Sequence, residues 1–321
     1  MLGTWWSQFR NYLYDKRYLR IQRASCKVVS IGNLTWGGTG KTALAVQLGS
    51  FLLARHFRVA FLSRGYARES HGIQLVSDGR EVLLSWKQAG DEAYMVAQRM
   101  RSAVVVVAED RAAALGFLEQ FEPDTILLDD GFQHRAVSRD LDLVLVDASE
   151  DLLKQRVLPF GKLREPVDAL KRADAVLLTH CKRPGDALRN WIAENISAPV
   201  FHAEYAPVSS EALKGKKVAA FCAIGSPQHF FEMLREYGAT IMHTRKFPDH
   251  HAYTLEELTR FEIEALNAGA DILVTTRKDS VKIDPAGFRT PLLAIEAELK
   301  IQEEEGFYEF LTDKLSVSYR T

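Results

Sequence analysis

The chain opens on a stretch whose apolar positions follow a helical period. Leu2, Trp5, Trp6, Phe9, Tyr12 and Leu13 recur at three- and four-residue intervals, which gathers them on one face of a helix within residues 1–24. Arg10, Lys16, Arg17, Arg20 and Arg23 accompany that face, against the single acid Asp15. A basic, Trp-bearing helix suits the interface of an anionic membrane, and equally suits packing on the body of a protein. From residue 27 the pattern changes to short continuous apolar runs alternating with amphipathic stretches. That is the pattern of a mostly parallel sheet flanked by helices.

Strands are expected at 27–31, 59–63, 104–108, 125–128, 143–146 and 175–178. Between 68 and 86, Gly72 and the Asp78-Gly79 turn separate two alternating runs, which predicts a β-hairpin inserted into the α/β body. The order restarts after about residue 200, with strands at 218–223, 240–247 and 272–276 and helices at 227–237 and 254–267. The runs 202–207 and 292–297 flank this unit and are expected to pair as a linker, ahead of a closing helix at 305–315. The expected organisation is an N-terminal helix (1–24), an α/β core (25–200), a smaller α/β domain joined by a strand pair (201–300) and a C-terminal helix (301–321).

Composition narrows the setting. A chain of 321 residues, 47% hydrophobic and 26% charged, buries a core without disulfides or metals to staple it. Its 41 basic residues against 42 acidic ones give no electrostatic footprint for nucleic acid. Cys26, Cys181 and Cys222 stand far apart without zinc-site spacing and read as reduced thiols of a cytoplasmic protein. No apolar run approaches the length of a transmembrane helix, and no signal peptide is visible, so any membrane contact is expected to be peripheral. No obligate protein partner is evident.

The run 27–31 leads through Gly32-Asn33-Leu34 into Thr35-Trp36-Gly37-Gly38-Thr39-Gly40-Lys41-Thr42, and a helix is expected at 43–54. Strand, glycine loop and helix are the context of a phosphate-binding loop, so the core is assigned to the P-loop NTPase type. The glycines let backbone N–H groups curl around phosphates at the positive end of a helix dipole. Lys41 is placed to reach the β- and γ-phosphates, and Thr42 to put its hydroxyl on Mg²⁺. Thr35 stands where the usual motif has Gly. The run 125–128 ends in Asp129-Asp130-Gly131, placing carboxylates at a strand end beside the loop, where one of the two holds Mg²⁺. Asp91 and Glu92 start a helix and read locally as capping residues, whereas Asp249, His250 and His251 fit a surface turn or a catalytic element alike. Arg111 and Arg164 are open between phosphate binding and surface charge. These residues alone stop at an Mg-nucleotide enzyme or a GTP- or ATP-driven switch or metallochaperone.

Several separated motifs, in order, are similar to those of the tetraacyldisaccharide 4'-kinase family, the lipid A 4'-kinases of Gram-negative bacteria. They include Arg10-Asn11-x-Leu13-Tyr14-Asp15, the loop with its Gly-Lys-Thr, Leu62-Ser63-Arg64-Gly65-Tyr66 and Ala89-Gly90-Asp91-Glu92. Glu109-Asp110-Arg111, Asp129-Asp130-Gly131-Phe132-Gln133-His134, Leu163-Arg164-Glu165-Pro166, Phe247-Pro248-Asp249-His250 and Thr275-Thr276-x-Lys278-Asp279 continue the match. The resemblance implies transfer of the ATP γ-phosphoryl group to the 4'-hydroxyl of an acylated glucosamine disaccharide 1-phosphate, at the cytoplasmic face of the inner membrane. It accommodates Thr35, because the family's loop tolerates a small hydroxyl residue there. It implies Asp91 as general base with His250 reaching in from the second domain, and Lys41, Arg111 and Arg164 as neutralisers of phosphoryl charge. Thr42, Asp129, Asp130 and Glu92 are implied at Mg²⁺, and Arg64, Tyr66, Gln133, His134, Arg164 and Glu165 at the disaccharide. A pair split across two domains further implies an ATP-driven closure, and an acceptor whose acyl chains stay in the bilayer favours the interfacial reading of the first helix.

Overall fold

The computed structural model describes residues 2–315 apart from Gly38, 181–185 and Ser209. Two of the sequence expectations, Gly38 of the phosphate loop and the thiol of Cys181, therefore lie outside the described residues. Strands β1 (Lys27–Asn33), β2 (Val59–Ser63), β3 (Gln74–Asp78), β4 (Val104–Val107), β5 (Thr125–Asp129), β6 (Leu141–Asp147), β7 (Ala175–Thr179) and β8 (Val200–Pro207) belong to one large sheet. Strands β9 (Lys217–Cys222), β10 (Thr240–Lys246), β11 (Ile272–Thr276) and β12 (Leu292–Ile295) form a separate small one. The last strand, β13 (Ala297–Ile301), returns to the large sheet, whose order is β13-β8-β7-β6-β1-β5-β2-β4-β3.

The inner pairs are all parallel, and only the edge strands β3 and β13 run antiparallel. Parallel strands covered on both faces need apolar side chains at successive positions, which is why β5 and β6 are buried at every residue. The helices are α1 (Leu2–Asp15), α2 (Lys41–Leu53), α3 (Trp86–Ala89), α4 (Asp91–Arg99), α5 (Arg111–Leu118), α6 (Asp186–Asn195), α7 (Pro227–Glu236), α8 (Leu255–Asn267), α9 (Arg277–Ser280) and α10 (Glu304–Leu315). On α2, Leu44, Leu48 and Leu52 share one face and bury against Val29, Ile31 and Phe61, at about 1.5–3 kcal/mol for each leucine. Phe307 and Leu311 of α10 enter the same core, and the Phe51 and Tyr308 rings stack at 4.2 Å. The small sheet is covered by α7 through Phe230, Phe231 and Leu234 on one side and by α8 through Leu258, Phe261 and Ala265 on the other. No helix among the described residues is long and apolar enough to cross a membrane.

Two expectations about pairing are corrected. The stretch 68–86 contributes one strand, β3, which pairs with β4 at the sheet edge; its second arm makes only a bridge between Ser77 and Val82. The partner of β8 is β13, not the run 292–297, because the chain leaves the small sheet at Glu296 and resumes in the large one from Ala297. The linker strands are thus part of the large sheet.

Helix α1 docks in an unusual sense. Its polar side faces the protein: Arg10 Nη2 and Asn11 Nδ2 both donate to Glu165 Oε1 at 2.9 Å, and Arg135 reaches Asp15 at 2.6 Å. Trp5, Trp6, Phe9 and Tyr12 are exposed, with Trp5 and Phe9 stacked at 5.4 Å. An amphipathic helix of a soluble protein does the reverse.

Candidate active site

The phosphate loop hangs between the end of β1 and the start of α2. Asn33, fully buried at the end of β1, donates from Nδ2 to Thr39 Oγ1 at 2.9 Å and so ties the two ends of the loop together. Thr35 bridges to Leu163, which holds the outer limb against the segment carrying Arg164. Gly40 precedes α2 at φ 85°, in the left-handed region, and a Cβ there would lie 1.5 Å from the Tyr205 hydroxyl of β8. Both backbone and space require glycine at this position.

The register of β1 against β5 pairs Ile31 with Asp129, so the acidic strand end lies beside the loop. Lys41 Nζ is 3.5 Å from Asp130 Oδ1, and Arg164 Nη1 donates to Asp130 Oδ2 at 2.5 Å. Ser63 Oγ donates to Asp129 Oδ2 at 3.3 Å, while Asp129 Oδ1 is buried with no hydrogen-bond partner among the described residues. Burial, with Glu92 and Asp130 nearby, pushes the Asp129 carboxyl well above its ordinary value. Burial also acts on Asp130, but Lys41 and Arg164 outweigh it and hold this carboxyl below its ordinary value. An orphaned carboxylate oxygen within an acidic cluster fits a hard divalent cation, and Thr42, Glu92, Asp129 and Asp130 all line one cavity of about 720 Å³.

Asp91 opens α4. The preceding Gly90 takes φ 86° and ψ 146°, a conformation open to glycine, and a Cβ there would meet the Tyr66 carbonyl oxygen at 2.9 Å. His250, in the loop after β10, reaches Asp91 from the small domain: its Nδ1 lies 2.9 and 3.0 Å from the two carboxylate oxygens. Lys278 Nζ is 3.3 Å from His250 Nε2, and an ammonium only donates, so Nε2 accepts and the ring proton sits on Nδ1 facing Asp91. Lys278 also pairs with Glu92 at 3.0 Å, and Lys282 with Asp91 at 3.4 Å and Asp279 at 2.9 Å. Burial would raise Asp91, but the His250 hydrogen bond and the charges of Lys278 and Lys282 hold it at about 2.

The cavity brings together Lys41, Thr42, Glu92, Asp129, Asp130 and His250, with Trp36, Gly37, Thr39, Arg64, Tyr66 and Arg164 also on its wall. Asp91 is 4% exposed and lies beneath His250, whose ring packs on Tyr66 at 4.8 Å. Other expected residues are placed differently. Arg111 is buried behind the acidic strand end, donating to the carbonyls of Asp129 at 2.7 Å and Asp130 at 3.0 Å, so it holds the strand end in place. Gln133 donates to the Asn33 carbonyl at 2.9 Å and supports the loop, and burial together with Arg111 pushes His134 down to about 4. Glu165 is fully buried, and Arg10, Asn11 and Arg172 occupy its carboxylate, which leaves none of it for a sugar. Lys278 and Lys282 were not singled out from the sequence, although Lys278 lies in the Thr275-Thr276-x-Lys278-Asp279 motif.

The family model described as Tetraacyldisaccharide-1-P 4'-kinase matches residues 1–316. The chain belongs to the tetraacyldisaccharide 4'-kinase family. It is 40% identical over 290 residues to the tetraacyldisaccharide 4'-kinase of Chlorobium phaeovibrioides, covering 85% of this chain and 82% of that one. The Geobacter metallireducens relative is 41% identical over 289 residues, at 87% and 85% coverage. The crystal structure of the "apo" form of Aquifex aeolicus LpxK in complex with ATP superposes with a TM-score of 0.75 at 33% identity, over 98% of this chain and 96% of that one. As a member of this family the protein is an ATP-dependent, Mg²⁺-using kinase that phosphorylates the 4'-position of a tetraacyldisaccharide 1-phosphate in lipid A biosynthesis. The reading as a nucleotide-driven switch or metallochaperone falls away with that membership.

Proposed function

We propose that the Asp91–His250 pair removes the proton of the acceptor hydroxyl while the loop at residues 35–42 holds the ATP phosphates. The observation that carries this is the two-oxygen contact of His250 Nδ1 with Asp91, made beside the loop and the acidic cluster. The sugar 4'-oxygen attacks the γ-phosphorus, the bond from phosphorus to the β–γ bridging oxygen breaks, and the hydroxyl proton passes to the Asp91 carboxylate. A carboxyl held at about 2 is a weak base, which suits a loose phosphoryl-transfer transition state in which the hydroxyl loses its proton late. His250 fixes the carboxylate, and Lys278 and Lys282 keep it ionised.

Lys41 and Arg164 offset charge on the transferring group, and Arg111 acts through the position of Asp129 and Asp130. Thr42, Asp129 and Asp130, with Glu92 near, would hold Mg²⁺, which would supply neutralisation of the phosphate charge. Arg64 and Tyr66 are the cavity residues left for the disaccharide. A second reading comes from the layering of the pair: His250 lines the cavity and Asp91 lies under it, so the imidazole itself takes the proton with Asp91 orienting it. His250→Ala separates the two. With Asp91 as base, transfer falls by about 10-fold and the substituted enzyme still responds to Asp91→Asn. Equal losses for both single variants and the double variant would make His250 the base.

The open face of α1 carries the membrane side of the proposal. Trp5, Trp6 and Phe9 insert among headgroups while Arg10 and Asn11 hold the helix to the protein, and the enzyme works peripherally at the inner membrane's cytoplasmic face, beside its acylated substrate; the exposed aromatic face of the helix supports this reading. Removing residues 1–9 is expected to weaken binding to anionic phospholipid vesicles at least about tenfold and to leave ATP binding intact. Unchanged vesicle binding would sink the interfacial role.

A further inference from the structure

Away from the reaction centre, three donor side chains converge where the large sheet meets the small domain. Asp147 ends β6, and the register pairs it with Thr179 on β7, so His180 follows on the neighbouring strand end. His229 comes from α7 of the small domain. His180 Nδ1 lies 3.3 Å from Asp147 Oδ1, His229 Nδ1 lies 3.8 Å from Oδ2, and the two imidazole centroids are 3.8 Å apart. One ligand atom from each residue falls within 4.8 Å of the other two. A tetrahedral ion with bonds of about 2.0–2.1 Å to nitrogen and oxygen sets its ligand atoms roughly 3.3–3.4 Å apart.

The hydrogen bonding favours a metal over an ordinary ion pair. Both Nδ1 atoms are shut off from solvent, yet among the described residues neither has a hydrogen-bond partner of acceptable geometry. An Asp–His pair aligns its N–H on the carboxylate, whereas here two ring nitrogens face one carboxylate without aligning. Ser149 donates from its backbone N and its Oγ to Asp147 Oδ1, at 2.9 and 2.6 Å, which fixes the carboxylate as outer partners fix metal ligands. His180 is itself held at φ 55°, in the left-handed region, which turns its ring to this point.

We propose that Asp147, His180 and His229 bind one divalent transition-metal ion of the zinc type. Two imidazoles and a carboxylate select such an ion over Mg²⁺, which prefers an all-oxygen shell. The site is distinct from the Mg²⁺ position at Thr42, Asp129 and Asp130. Because two ligands come from the ends of β6 and β7 and the third from α7, the ion clasps the small domain to the large sheet. His180 and His229 line the same cavity as the phosphate loop, so the clasp fixes one wall of the nucleotide site.

The test is titration of chelator-stripped full-length protein with Co²⁺ in the absence of nucleotide, followed by visible absorption, then displacement with Zn²⁺. The expected result is one equivalent of Co²⁺ with the intense bands of a four-coordinate site, lost on adding Zn²⁺. His229→Ala and His180→Ala each weaken it at least about tenfold, and Asp129→Asn leaves it unchanged. Zn²⁺ also raises the melting temperature of the wild-type chain and not that of His229→Ala. His229 is partly exposed on a helix, and circular dichroism with an unchanged metal-free melting temperature confirms that its variant folds. Absence of a saturable cobalt band, or a band that survives in His229→Ala, overturns the proposal.

Discussion

Asp91→Asn is expected to lower phosphoryl transfer to the acylated disaccharide by about 10²- to 10⁴-fold while leaving ATP affinity within about twofold. The amide keeps the shape of the carboxylate and removes its charge. Lys282, which is fully buried, retains Asp279 at 2.9 Å, so the substitution strands no cation and the fold survives. Because Asp91 is held at about 2, it is ionised throughout the neutral range, and loss of wild-type rate between about pH 8 and pH 5 does not come from its protonation. A folded carboxyl depressed in this way adds stability that is fully present above its ordinary value near 4. That stability is lost as the pH falls toward 2. Steady-state transfer, nucleotide titration and a pH–rate profile together check the prediction. Transfer within tenfold of wild type would remove Asp91 from the chemistry.

The largest effect on stability is expected at Glu165, in a position that touches no substrate. Its carboxylate is fully buried and receives Arg10 and Asn11 from α1 and Arg172 from the core domain. Glu165→Ala leaves two guanidinium groups facing an apolar gap. Both are partly exposed, so water relieves some of the cost, and the expected loss is about 2–4 kcal/mol in denaturant unfolding. Glu165→Gln keeps the hydrogen bond from Asn11 and loses less. A change under about 1 kcal/mol for the alanine variant would mean that the network contributes little.

The reading of the sequence succeeded where a residue's neighbours in the chain decide its place. Continuous apolar runs gave β1, β2, β5 and β7, because burial on both faces writes itself into consecutive positions. The phosphate loop was legible for the same reason, since its strand, glycines and helix are contiguous. The partner of β8 was not, because the apolar run 292–297 passes into β13 without a break in composition where the chain changes sheets. Among the site residues, Asp91 and His250 came from the resemblance; the local pattern at Asp91 was that of a helix cap, and it does accept from the Glu92 N–H at 2.9 Å. Glu165 and Arg111 were likewise placed at ligands by the resemblance, since nothing local to them in the chain shows whether an acid or a base beside a motif is buried. Their burial depends on α1 and β5, which the chain supplies far away.

The contact between Gly40 and Tyr205 joins the nucleotide loop to the strand that carries the chain out of the large sheet. Tyr205 is partly buried, with its ring stacked on His180 at 5.0 Å and its hydroxyl against the glycine. A mutational survey that sorted positions by domain would file Tyr205 under the linker. Its variants would nevertheless score as nucleotide-binding defects, and a bulkier residue there would be tolerated only where the loop gave way. The two positions are therefore one unit of inheritance: drift at either is confined by the other.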